Sequence, residues 1–134
     1  MSNERTFPLR WDLKGEDALV EGSTWRRRIA FDYLDPTDGL VKVWDTTGYT
    51  AELTIRDEYD GTVLLSATSA GGEITVGDPL YTVIIELAGS ITGDPALAPL
   101  KTALGVWDLW LTDASSQPTM VYTGRVALEP RVTP

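Results

Sequence analysis

The chain has 134 residues, sets 11 Lys and Arg against 20 Asp and Glu, and contains neither Cys nor His. Its length suits one domain that buries about two-thirds of its unfolded surface, and 43% hydrophobic with 23% charged residues is a globular rather than a disordered balance. Disulfides, Fe–S clusters, thiolate or imidazole metal sites, Ser-His-Asp triads and Cys-His pairs are excluded, and a net charge of −9 opposes binding to nucleic acid or an anionic membrane surface.

The first residues, Met1-Ser2-Asn3-Glu4-Arg5, lack the basic and then apolar regions of a signal peptide. No apolar run approaches the about 20 residues that span a bilayer. These features predict a protein made in the cytoplasm and kept in solution, with no membrane partner.

Alternation then predicts strands in chain order. Phe7, Leu9, Trp11 and Leu13 share one face, against Arg10 and Asp12. Trp25, Ile29, Phe31 and Tyr33 share the next, opposed by Arg26, Arg28 and Asp32; Arg27 breaks that face and needs a bulge or a partner. Residues 35–43, with Pro36 and Gly39, read as an expanded loop. Tyr49, Ala51, Leu53 and Ile55 alternate with Thr50, Glu52, Thr54 and Arg56. Asp60-Gly61 cues a hairpin into residues 62–67. Tyr81, Val83, Ile85 and Leu87 form another inward face, as do Trp107, Leu109 and Leu111. Residues 113–118 turn that strand into one over residues 119–128.

Only residues 95–104 read as helical. Leu97, Leu100 and Leu104 stand at i, i+3 and i+7, and Pro99 limits the helix to a turn or two. Short strands with turn formers between them predict an all-β fold, an antiparallel β-sandwich of Ig-like or jelly-roll-like plan. About eight strands and one short helix near residues 96–104 are expected. Residues 9–128 form the domain, residues 1–8 an N-terminal arm and residues 129–134 a C-terminal arm.

Chemistry is scarce in this sequence. Asp35, Asp38, Asp45, Asp57, Glu58 and Asp60 lie in loops, but none of those loops has the calcium-binding D-x-[DN]-x-[DN]-G pattern with a following Glu. Asp is itself a turn former. No glycine-rich phosphate loop is present, and the three lysines, Lys14, Lys42 and Lys101, occupy no recognisable apolar pocket. The reading is a non-enzyme without a cofactor or metal. Trp11, Trp25 and Trp107 fall on inward phases, whereas Trp44 and Trp110 break or oppose theirs and are candidate partner contacts, or else belong to strands buried on both sides. Arg26 and Arg28 share an outward face and could dock an acidic surface, or form cross-strand ion pairs instead. Phe7, Arg131 and Val132 are contact candidates on the two arms.

Three segments carry a resemblance. Gly48-Tyr49-Thr50-Ala51-Glu52-Leu53-Thr54-Ile55-Arg56 resembles a G-x-T-A-x-L-x-I-R strand. Val106-Trp107-Asp108-Leu109-Trp110-Leu111-Thr112-Asp113 resembles Y-D-L-x-L-T-D, with Trp107 where Tyr is usual. Gly124-Arg125-Val126-Ala127-Leu128-Glu129-Pro130-Arg131-Val132-Thr133 resembles a closing G-x-V-x-V-x-P-x-V-T. In this order they resemble small β-sandwich structural proteins of tailed bacteriophage virions, similar in plan to N-terminal domains of baseplate upper proteins. The resemblance implies a virion structural protein, foremost a head decoration or minor capsid protein on the outer capsid surface. Its implied partners are the major capsid protein or another virion protein, together with copies of itself in a homo-oligomer. A tail-associated module at a baseplate or fibre attachment point, and a carbohydrate-binding module, are the alternatives.

Overall fold

The computed structural model describes residues 8–30, 32–35, 37–78 and 82–131, and twelve strands lie among them. The first half contributes β1 (Leu9–Arg10), β2 (Leu19–Val20), β3 (Trp25–Ala30), β4 (Asp32–Asp35), β5 (Leu40–Val43) and β6 (Thr50–Arg56). The second contributes β7 (Val63–Thr68), β8 (Ile74–Val76), β9 (Thr82–Leu87), β10 (Gly105–Thr112), β11 (Pro118–Val126) and β12 (Leu128–Glu129).

The fold is all-β and sandwich-like. One sheet has the order β1-β11-β10-β6-β7 and the other β3-β9-β8; β12-β2 and β4-β5 form two-stranded ribbons. Inward residues of both sheets, among them Leu53, Ile55, Leu109, Leu111, Ile29, Ile74, Val83 and Ile85, join one buried cluster. The expected alternation holds in β6 and over residues 107–112 of β10, where one phase meets the opposite sheet and the other is partly or fully exposed; in β9 Val83, Ile85 and Leu87 are buried as expected, but Thr82 of the other phase is buried too. Phe31 and Tyr81 lie outside the described residues.

Four expectations need correction. The pairings are not all antiparallel, because β1–β11 and β12–β2 run parallel. Alternation shows which face is buried but not which way a neighbour runs. The strand count exceeds eight because β2 and β12, of two residues, and β8, of three, are too short to leave a periodic signal, and because β4 and β5 form a ribbon of their own. Residues 35–43 are not simply a loop, since β4 and β5 pair there from Asp32↔Val43 to Asp35↔Leu40.

The fourth concerns the ends of elements. The predicted helix is a 3-10 helix, Pro95–Lys101, preceded by a single α-turn, Gly89–Thr92. The Asp94 carboxylate accepts from the Ala96 N–H at 2.9 Å and starts it. Leu97 and Leu100 are buried, but Leu104 lies beyond the end and is exposed. The C-terminal arm does not begin at residue 129. Glu129 pairs with Val20, and the Arg131 N–H donates to Glu21 Oε1 at 3.2 Å.

The expected first strand, residues 7–13, is interrupted for a physical reason. After β1 the chain crosses so close to β11 that a Cβ on Gly124 would run into the Trp11 carbonyl. Asp12 Oδ1 accepts from the Arg125 N–H at 2.9 Å, and Leu13 resumes contact as a bridge to Val126. Arg27 is half-buried without any register shift between β3 and β9. Its guanidinium lies 4.7 Å from the Trp25 ring centroid and 3.4 Å from Asp17 Oδ1. A partner, not a bulge, resolves the broken face.

Candidate interaction surfaces

The tryptophans divide by location. Trp11, Trp25 and Trp107, with Tyr122, close the space between the sheets: Trp11 has its centroid 6.2 Å from Trp25, 5.8 Å from Trp107 and 5.3 Å from Tyr122. Each indole N–H has an acceptor. Trp11 donates to Asp17 Oδ2 at 3.1 Å, Trp25 to the Asp17 carbonyl at 3.0 Å, and Trp107 to the Trp11 carbonyl at 2.7 Å. The inward readings of these three tryptophans agree with this packing.

Trp44 is not an exposed anchor. It is half-buried against the core, sits edge-on to Tyr49 at 5.6 Å and donates its N–H to Tyr49 Oη at 3.2 Å. This packing leaves Trp44 partly accessible and less free to serve as an anchor than an exposed indole. Trp110 does lie on the outer face of the five-stranded sheet, half-buried between β6 and β11.

Asp108 stands two residues before Trp110 on that outer face, in a small depression lined by Thr54, Arg56, Tyr59, Asp60, Val106, Trp107 and Thr123. Burial raises its pKa above the ordinary carboxylate value; Arg56 and the Trp110 N–H pull the other way, and Glu52 adds to the rise. Arg125 covers the Tyr59 ring at 5.5 Å. These groups engage one another within the chain.

Arg26 faces Glu86 directly across β3 and β9 and pairs with it at 3.2 Å, both side chains being more than half exposed. Such a pair contributes little to stability. Arg28 is exposed and has no ion pair among the described residues. It borders an open groove of about 410 Å³ with Arg10, Trp11, Ile29, Ala30 and Tyr122. Because β3 is an edge strand, its outward arginines also blunt that edge against unwanted pairing. Arg131 is exposed but its backbone is tied to Glu21, whose carboxyl is held low first by Lys101 at 2.9 Å and then by the Arg131 N–H. Phe7 and Val132 lie outside the described residues.

The loop carboxylates act as turn formers. Asp38 Oδ1 accepts from the Leu40 N–H at 2.9 Å and Oδ2 pairs with Lys42 at 2.9 Å. Asp45 accepts from the Thr47 N–H at 2.9 Å, which holds its carboxyl below the ordinary value. Asp57 accepts from the Thr62 N–H at 2.9 Å. Among the described residues no three acidic side chains gather as metal ligands would.

The surface that sequence reasoning missed is the β4–β5 hairpin. Leu40 is 60% exposed, Val41 69% and Val43 51%. Neighbouring residues point to opposite faces of a strand, so exposure of Leu40, Val41 and Val43 means that both faces of β5 carry apolar surface to solvent. The available signal was the short run Leu40-Val41-Lys42-Val43, hidden behind the turn formers Pro36 and Gly39. No family model matches the chain, and no curated protein matches it.

Proposed function

We propose that this chain is a bacteriophage virion structural protein, in the first place a head decoration or minor capsid protein. It works by docking on the major capsid protein or another virion protein and on copies of itself, without catalysis. The observation that carries the docking part is the β4–β5 hairpin, where Leu40, Val41 and Val43 stay in water although the domain core is closed. Exposed aliphatic side chains on a strand that pairs on one side only suit addition to a neighbouring surface or strand edge. The virion part rests on the resemblance of three segments. They fall on β6, on β10 and on the β11–β12 region, so the likeness covers central strands of one sheet and its continuation.

The test has two arms. Quantitative mass spectrometry of purified particles is expected to give a copy number near that of the major capsid protein, in head fractions. A few copies confined to tail fractions would overturn the capsid placement in favour of a tail module, and absence from particles would overturn the virion reading. In the second arm, recombinant chain is added back to particles that lack it. The Leu40→Ser, Val41→Ser, Val43→Ser triple variant is expected to remain folded and to lose occupancy; full occupancy would remove the hairpin from the docking surface.

A further inference from the structure

The outer face of the five-stranded sheet holds a depression of about 490 Å³ that the docking reading does not use. Its lining is Thr50, Ala51 and Glu52 from β6, Thr68 from β7 with Ser69 and Ala70 beyond it, Trp110 and Thr112 from β10, and Pro118 from β11. The composition is specific: one indole, four aliphatic hydroxyls, one carboxylate and no cation.

The hydroxyls are prearranged. Thr68 Oγ1 accepts from the Gly71 N–H at 2.9 Å, and Ser69 Oγ accepts from the Ala51 N–H at 3.0 Å. Each oxygen thus has an acceptor lone pair engaged by backbone, and its own O–H proton has no acceptor among the described residues. Glu52 is exposed, forms no ion pair among the described residues, and offers two acceptor oxygens. Among the described residues no aromatic ring stacks on Trp110. Trp110 lines the depression, and an indole there offers a ligand a broad apolar surface.

These features select a ligand chemistry. An anion is disfavoured by Glu52 and by the net charge of −9. A purely apolar ligand would bury Glu52 and the hydroxyl donors without partners. What fits is a ligand with an apolar face and a rim of hydroxyls that both donate and accept. We propose that the Trp110 depression is a saccharide subsite for a neutral pyranose. The sugar's C–H face lies on the indole, and its hydroxyls are met by Glu52, Thr50, Thr68, Ser69 and Thr112. This site is independent of the docking hairpin, and either reading can fail without the other.

The experiment uses the full chain labelled with 5-fluorotryptophan, so that fluorine NMR resolves the five tryptophans. The Trp110 resonance is assigned by its loss in Trp110→Phe, and the four remaining resonances report whether the fold persists. The probes are the methyl glycosides of glucose, mannose and galactose, with methyl glucuronide as the anionic control. The expected result is a saturable shift of the Trp110 resonance with at least one neutral glycoside, at the millimolar affinity that a ligand of this size attains. Glu52→Gln keeps the shape but not the charge and is expected to weaken binding ~10-fold, as removal of a charge-assisted hydrogen bond does; the glucuronide is expected to bind more weakly than its neutral counterpart. A Trp110 resonance that no glycoside moves, or one that moves only together with the buried tryptophans, would overturn the proposal. So would binding indifferent to Glu52→Gln.

Discussion

The tryptophan-lined seam and the β4–β5 hairpin hold the same kinds of apolar side chain in opposite circumstances. In the seam, Trp107 and Leu109 are shut away from water and every indole N–H has an acceptor. In the hairpin, Leu40, Val41 and Val43 remain mostly in water. Burial of apolar area is the main favourable term in folding, so the seam stabilises the domain and the exposed part of the hairpin does little for it. Surface that adds nothing to the monomer gains free energy only when something covers it. The contrast separates what holds this fold together from what it can offer a partner.

The sharpest way to break that contrast is Trp107→Ala. Trp107 is fully buried, packs against Trp11 and stacks on Tyr122 with centroids 6.1 Å apart. The variant is expected to lose about 3–5 kcal/mol in urea unfolding, a large share of a domain's stability. A loss below about 1 kcal/mol would mean that the seam is not where the fold's stability resides. Gly124→Ala tests the same seam through its backbone. The added Cβ would meet the Trp11 carbonyl, which is main chain and cannot swing aside as a side chain would. A loss of about 1–3 kcal/mol is expected, the usual cost of overpacking.

Asp12 and Asp108 sharpen the comparison by pH. Asp12 is held below its ordinary pKa of 3.8, first by the Arg125 N–H, against opposing desolvation, and then by Arg10. Its ionised form is therefore favoured by folding. The stability it adds is present above the unfolded value and is lost as pH falls through the lower folded value. Asp12→Asn is expected to be less stable than the parent chain at pH 7, by about 1 kcal/mol or less given its exposure. The gap should narrow at strongly acid pH. Asp108 has the opposite sign: burial raises its pKa, so ionisation costs stability above the folded value and the cost vanishes below the unfolded one. Asp108→Asn is expected to raise the melting temperature slightly at pH 7 and leave it unchanged below pH 3.8. A matching drop for both variants at neutral pH would contradict the two environments described.

What the sequence made legible follows from the same physics. The strands β6, β9 and β10 showed themselves because five or more residues alternate against a buried layer, and the Asp60-Gly61 turn because Asp60 takes a positive φ of 59° there. The strand β5 stayed hidden because its burial does not alternate: three of its four residues are exposed, on both faces, and produce no period. Strands of two residues leave none either. Arg27 was recognisable as a problem from its phase, but its solution lies ten residues back, at Asp17, which no local pattern connects to it. Trp110 was singled out correctly as facing outward, whereas its surroundings come from β6, β7 and β11 and exist only once register is set. Trp44 violates its phase, which is compatible with exposure and with burial on both sides, and it is half-buried. The ring that covers it, Tyr49, belongs to the segment leading into the next strand.

A small expected effect per residue tests the other half of the contrast. Replacing Leu40, Val41 and Val43 together by Ser removes apolar side chains that are each more than half exposed. Substitutions at such positions usually change stability by no more than about 0.5 kcal/mol each. Some loss of strand propensity is expected from removing two β-branched residues. The triple variant should therefore unfold at nearly the parental urea concentration and with an unchanged slope, the slope reporting the surface exposed on unfolding. If the hairpin instead packed on the domain in solution, the variant would lose as much as a core substitution does, and the division between seam and hairpin would collapse. Near-parental stability together with lost particle occupancy would assign these three side chains to the interface rather than to the fold.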